Sequence, residues 1–139
     1  MADITKVSVN LDASTAMFAQ QITGLYAGED LAAGDACYIN PDGLVYLAQA
    51  DAAATAGVAG FTARAVDQDE PVTLFGPAAR YAYGSALTPG AILYLSAVTP
   101  GALADAPNLG DVEGIALVVN ATDIIITRAS GFSELASSF

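Results

Sequence analysis

Apolar residues along this chain come in short bursts separated by Gly, Pro, Asn and Asp at intervals of about ten residues, the rhythm of a β-sandwich or small barrel. Residues 6 to 11 alternate, with Val7, Val9 and Leu11 on one side and Lys6, Ser8 and Asn10 on the other, which predicts a short strand. Residues 12 to 21 lack glycine punctuation and read as a loop or as one to two helical turns capped by Asp12 or Ser14. From Ile22 onward the strand rhythm is continuous. Asn40, Pro41, Asp42 and Gly43 form the clearest turn, because Pro fixes φ early in it and Gly accepts positive φ later. Pro89 with Gly90, and Pro100 with Gly101, repeat that chemistry. Single helical turns are expected after Asp51 and at Asn120 to Asp123.

The pattern is also written twice. Gly28, Leu31, Gly34 and Tyr38 recur as Gly84, Leu87, Gly90 and Tyr94, each displaced by 56 positions, and every copy runs on into further apolar segments. The prediction is an all-β fold, a small β-barrel or sandwich built from two pseudo-repeated β units with little helix. Residues 1–20 form an extended N-terminal arm, 21–128 the β-barrel domain with pseudo-repeats at about 24–76 and 80–128, and 129–139 a flexible C-terminal tail. The arm either folds back on its own body or reaches a neighbour.

Composition narrows the chemistry. A length of 139 residues suits one domain with one core. No apolar run approaches a bilayer-spanning length, and residues 1–6 carry neither a basic leader nor a cleavage pattern, so a soluble, cytoplasmically made protein without a membrane partner is expected. Fifteen acids against four bases give a formal charge of −11, with Lys6, Arg64, Arg80 and Arg128 too scattered to form a phosphate-binding patch. Nucleic acid is therefore not expected as a partner. Cys37, the single cysteine, sits in an apolar pattern and reads as a small buried hydrophobe.

The chain has no histidine, which removes the commonest general base and metal ligand, and it has no Gly-rich phosphate loop. No catalytic, cofactor or metal residue is assigned, and no cofactor is expected. Asp67, Asp69 and Glu70 read as a solvated hairpin rather than a calcium loop. Glu29, Asp30 and Asp35 invite a paired-carboxylate hydrolase reading, weakened by the absence of tryptophan for stacking a sugar. A carrier barrel would need a lysine at a hairpin tip, and Lys6 lies outside the repeated body. Tyr38 and Tyr94 hold matching places and read as structural. Tyr81 and Tyr83 alternate with Arg80 and Ala82, and on an exposed face they would make a contact patch.

On the Gly28 to Tyr38 segment, on Asp42, Gly43 and Tyr46, on Gly57, Gly60 and Phe61, and on Leu87 to Leu95, the chain resembles the decoration, or cement, proteins that coat the heads of tailed bacteriophages. The resemblance covers about residues 22 to 128. It implies a non-enzymatic structural protein of the virion, made in the host cytoplasm, that binds the major capsid protein on the outer capsid surface and stabilises the shell, often as a trimer. The alternative is a fibre or tail-tip adhesin module that recognises a host receptor. For either role the candidate partner-binding residues are Lys6, Val7, Val9, Leu11, Met17 and Phe18 in the arm, Tyr81 and Tyr83 in the body, and Phe132 and Phe139 in the tail.

Overall fold

In the computed structural model the described residues are 3–52, 55–108 and 110–129. They form two antiparallel sheets with a single turn of α-helix, an open sandwich rather than a closed barrel. The first unit supplies β2 (Gln21–Tyr26), β3 (Ala36–Ile39), β4 (Val45–Leu47), β5 (Gly60–Thr62) and β6 (Pro71–Phe75), in the sheet order β2-β6-β5-β3-β4. The second supplies β7 (Arg80–Ala82), β8 (Ile92–Leu95), β9 (Leu103–Ala104), β10 (Ala116–Val118) and β11 (Asp123–Ile126), in the order β7-β11-β10-β8-β9, with β1 (Asn10–Leu11) added beside β7. Strand for strand, the two orders are the same. The register agrees as well: Ala36 pairs with Phe61 and Cys37 with Gly60, while 56 positions on, Ile92 pairs with Leu117 and Leu93 with Ala116. Gly34 and Gly90 turn the chain at matched places with φ of 75° and 86°, a conformation that costs a residue with a Cβ.

The matched units do not bury matched faces. Leu93, Leu95, Ala116, Ile124 and Ile126 point from the second sheet into the main core, where they meet Ala36, Phe61 and Phe75 from the first. Cys37 and Leu74 lie on the other side of the first sheet. There they form a second cluster with Val45, Val72, Leu31 and Val66, closed by the segments that carry Leu31 and Val66. The first sheet is thus backed by a second apolar cluster, with Tyr26 of β2 and Ile39 of β3 left exposed. No such cluster backs the second sheet among the described residues.

The arm folds back. Ile4 N–H donates to the Leu103 carbonyl, Asp3 accepts from the hydroxyls of Ser96 and Thr99, and Val7 N–H donates to the Tyr83 carbonyl. Beyond Val7, the pairing of β1 with β7 begins, so residues 3–11 strap one edge of the six-stranded sheet to the other. The strand expected over residues 6 to 11 is confined to Asn10 and Leu11, because Ser8 takes a positive φ of 49° and breaks the alternation. Asp12 caps the one-turn helix α1 (Ala13–Ala16), accepting from Ser14 N–H at 2.8 Å. Asn120 heads no helical turn: its side-chain oxygen accepts from the amides of Thr122 and Asp123 and closes the β10–β11 hairpin. The segment after Asp51 forms no helix over its described residues.

Candidate interaction surface

Sequence reasoning singled out Tyr81 and Tyr83 as contacts, and the fold removes both from solvent. Each is fully buried in the main core. Odd-numbered positions of β7 point inward, so Arg80 and Ala82 take the outer face instead. Tyr81 packs its ring 6.2 Å from that of Phe61 and donates its hydroxyl to the Phe61 carbonyl at 3.3 Å. Burial pushes both phenols well above their ordinary range. They join the two sheets and offer nothing to a partner.

The arm residues divide. Val9 and Leu11 pack against the main core. Lys6 ion-pairs with the buried carboxylate of Asp35, which also accepts from Ala32 N–H at 2.8 Å, so the chain's single lysine is spent on holding the arm. Val7 lies on the surface. Met17 and Phe18, 79% and 81% exposed, are the most exposed large apolar side chains among the described residues. They follow α1 directly and are presented by a short, well-tied turn. Asp12 fixes its start, Ala19 N–H donates to the Thr15 carbonyl, and the Thr15 hydroxyl accepts from Arg80 N–H at 3.1 Å. Phe132 and Phe139 lie outside the described residues.

The carboxylates that suggested chemistry are used as backbone acceptors. Glu29 accepts from Leu47 N–H, Asp30 from Gln68 N–H and Glu70 from Asp67 N–H, at 2.8–3.1 Å. These bonds tie down the segments that cover the outer side of the first sheet, which explains why the acids are absent from the matching places in the second unit. Among the described residues no three Asp, Glu, Cys or His side chains converge as they would around a metal ion. Cys37 is fully buried, and desolvation pushes its thiol well above the ordinary value, so it has no thiolate character at neutral pH. A cleft of about 320 Å³ is lined by Leu25 of β2, by Pro71 and Phe75 of β6, and by Arg64 and Val66 of the segment after β5. Arg64 is the one base with no ion pair among the described residues.

Two features escaped the sequence reading. Asp111, almost wholly buried, accepts from Leu95 N–H and Gly114 N–H and ion-pairs with Arg128 at 2.8 Å, locking the loop before β10. No spacing rule joins positions 111 and 128. The other is the outer face of the second sheet. There Ile92, Leu117 and Ile125 stand side by side across β8, β10 and β11, and the row ends at Arg80, which is paired with Asp123 at 2.9 Å. The repeat itself pointed to these positions, but which side of each unit would face the core was not written in it.

No helix among the described residues is long and apolar enough to cross a membrane. A scan against protein-family models finds no match to this chain, and a search of curated proteins finds no similar sequence.

Proposed function

We propose that this chain is a non-enzymatic head-decoration protein of a tailed bacteriophage, which binds the major capsid protein on the outer shell surface and stiffens it. The observation that carries the reading is the exposed Met17–Phe18 pair on a rigid turn, backed by a duplicated, tightly cross-tied β body. Adjacent large apolar side chains held in a fixed conformation lose little entropy on docking, and such residues make effective anchors in a partner's pocket. Lattice repetition multiplies a modest contact of this kind into firm attachment. A charge of −11 suits the outside of a DNA-filled container better than its lumen. Residues 3–11 are tied to the body as a strap, which supports assigning the proposed contact to the turn that follows it.

The test is co-sedimentation of the purified protein with capsids that lack it. Saturable binding in hundreds of copies per particle, lost in a Met17→Ser/Phe18→Ser double variant with an unchanged melting temperature, is expected. Binding confined to tails or fibres, or full occupancy by the double variant, overturns the reading or its anchor respectively.

A further inference from the structure

We propose that the free edge of β2 accepts an extended, lysine- or arginine-bearing segment of a partner protein as an added strand. A sheet edge presents unpaired backbone donors and acceptors, and native folds keep unused edges short, charged or covered. Two sheets give four edges, and three of them follow that rule. β1 is two residues long. β9 is closed by the strap, through the bond from Ile4 N–H to the Leu103 carbonyl and the bridge of Asp3 to Ala104. β4 is closed by the segment after β2, where Gly28 N–H donates to the Val45 carbonyl and Glu29 accepts from Leu47 N–H. The fourth edge is β2, at six residues the longest strand among those described. Outside its ladder with β6, no backbone bond joins Gln21, Thr23, Gly24 or Tyr26 to a described residue, and the strand carries neither a charge nor a proline.

The edge suits one kind of strand. Its register with β6 shifts between Ile22 and Leu25, where Gly24 takes a φ of 79°, and a bulge of this sort turns an edge away from a flat, indiscriminate neighbour. The same bulge leaves a gap. A Cβ at Gly24 would meet nothing within 4 Å, and Gly24 lines the cleft together with Leu25, Thr73 and Phe75. A side chain of an added strand that leans over Gly24 enters that cleft, and pockets for alternate side chains are what give strand addition its selectivity. Charge sets the sign of the partner. Ala27 N–H donates to the Glu70 carbonyl and Asp69 N–H to the Ala27 carbonyl, so the hairpin of Asp67, Asp69 and Glu70 stands at the Tyr26 end of the edge. Asp30 joins it by accepting from Gln68 N–H, and all four acids are exposed. Against them stands Arg64, which lines the cleft. A base on the incoming segment is therefore drawn to that end and an acid is repelled. A second copy would bring a β2 without a base and a net charge of −11, which favours a different protein as the occupant.

The experiment is titration of the isotopically labelled full chain with a synthetic peptide of alternating valine and threonine that ends in two lysines, read by amide chemical shifts at low salt. The expected result is saturable change centred on Gln21, Thr23 and Tyr26 and on the residues of the cleft, weakened as salt screens the attraction. The same peptide ending in two glutamates should bind about tenfold more weakly or worse. Thr23→Pro, which an edge strand tolerates while losing a donor, and Asp67→Asn/Asp69→Asn, which removes charge alone, should each weaken the lysine peptide by a similar factor at the parent's melting temperature. Absence of any shift up to millimolar peptide overturns the proposal, as do shifts that avoid β2 or an equal response to the two peptides. Shifts along β2 that grow with protein concentration in the absence of peptide would show a second copy on the edge and overturn the choice of occupant. No capsid enters the assay, so its outcome is independent of the decoration reading.

Discussion

At the residue scale, buried polar groups hold this fold at particular points, and the largest consequence falls on Asp111. Its carboxylate satisfies two backbone amides and faces Arg128, so Asp111→Ala leaves two buried donors without that acceptor and a partly buried guanidinium without its counter-ion, held only by the Gly114 carbonyl. A loss of about 3 kcal/mol is expected, measured as a shift in the urea midpoint, with Asp111→Asn losing less because it keeps an acceptor. Asp12 acts differently. Hydrogen bonds from the Ser14 hydroxyl and amide hold its carboxyl below the ordinary 3.8. A depressed carboxylate contributes stability above its unfolded pKa and loses that contribution as pH falls through its folded one. The turn that presents Met17 and Phe18 is therefore expected to loosen only below about pH 4, seen as faster exchange of the Ser14 amide, and at neutral pH in Asp12→Ala. Met17 and Phe18 were named from the sequence as candidate contacts of the arm, and their exposure follows from the turn after α1 that presents them. The partnership of Asp111 and Arg128 was not, because it depends on how a loop crosses a sheet rather than on spacing.

At the element scale, the duplication was readable with its register, and the turn glycines marked it. Gly34 and Gly90 repeat the same backbone, yet their surroundings differ: a Cβ at Gly90 meets nothing within 4 Å, whereas one at Gly34 stands 2.6 Å from Val9 Cγ1. Gly90→Ala is expected to cost about 1–2 kcal/mol for the left-handed conformation alone. Gly34→Ala must also displace Val9, and with it the strap. The larger loss should appear in thermal denaturation together with freed amide exchange at Ile4 and Val7, two donors that tie the strap to the body. A similar loss in both variants, with the strap still protected, would show that Val9 holds nothing. The alternation at residues 6 to 11 predicted a strand but could not foresee Ser8, where one positive φ converts a strand into a crossing strap.

At the scale of the whole molecule, the repeat in the sequence points to two related β units but leaves open how they stack, because short strands with apolar residues on both sides carry no preference for one face. Tyr81 and Tyr83 were misplaced for that reason: alternation put them on one face together, and only the packing of the sheets decides that the face is inward. The same packing makes the units interdependent. Phe61 from the first sheet and Tyr81 from the second share one contact and one hydrogen bond, and the main core draws residues from both units along its length. Neither unit has a separate core of the same size, so the duplicated chain should unfold in a single step. Phe61→Ala opens a cavity between the sheets and is expected to cost about 3–5 kcal/mol. Urea denaturation followed by tyrosine fluorescence and by amide exchange in β5 and in β10 should give midpoints that coincide with one another within the parent and within the variant, all lowered by the same amount in the variant. Separate transitions, with the first sheet melting while β10 stays protected, would mean that the second unit stands without the first, and the ring contact between the sheets would then be incidental to the fold.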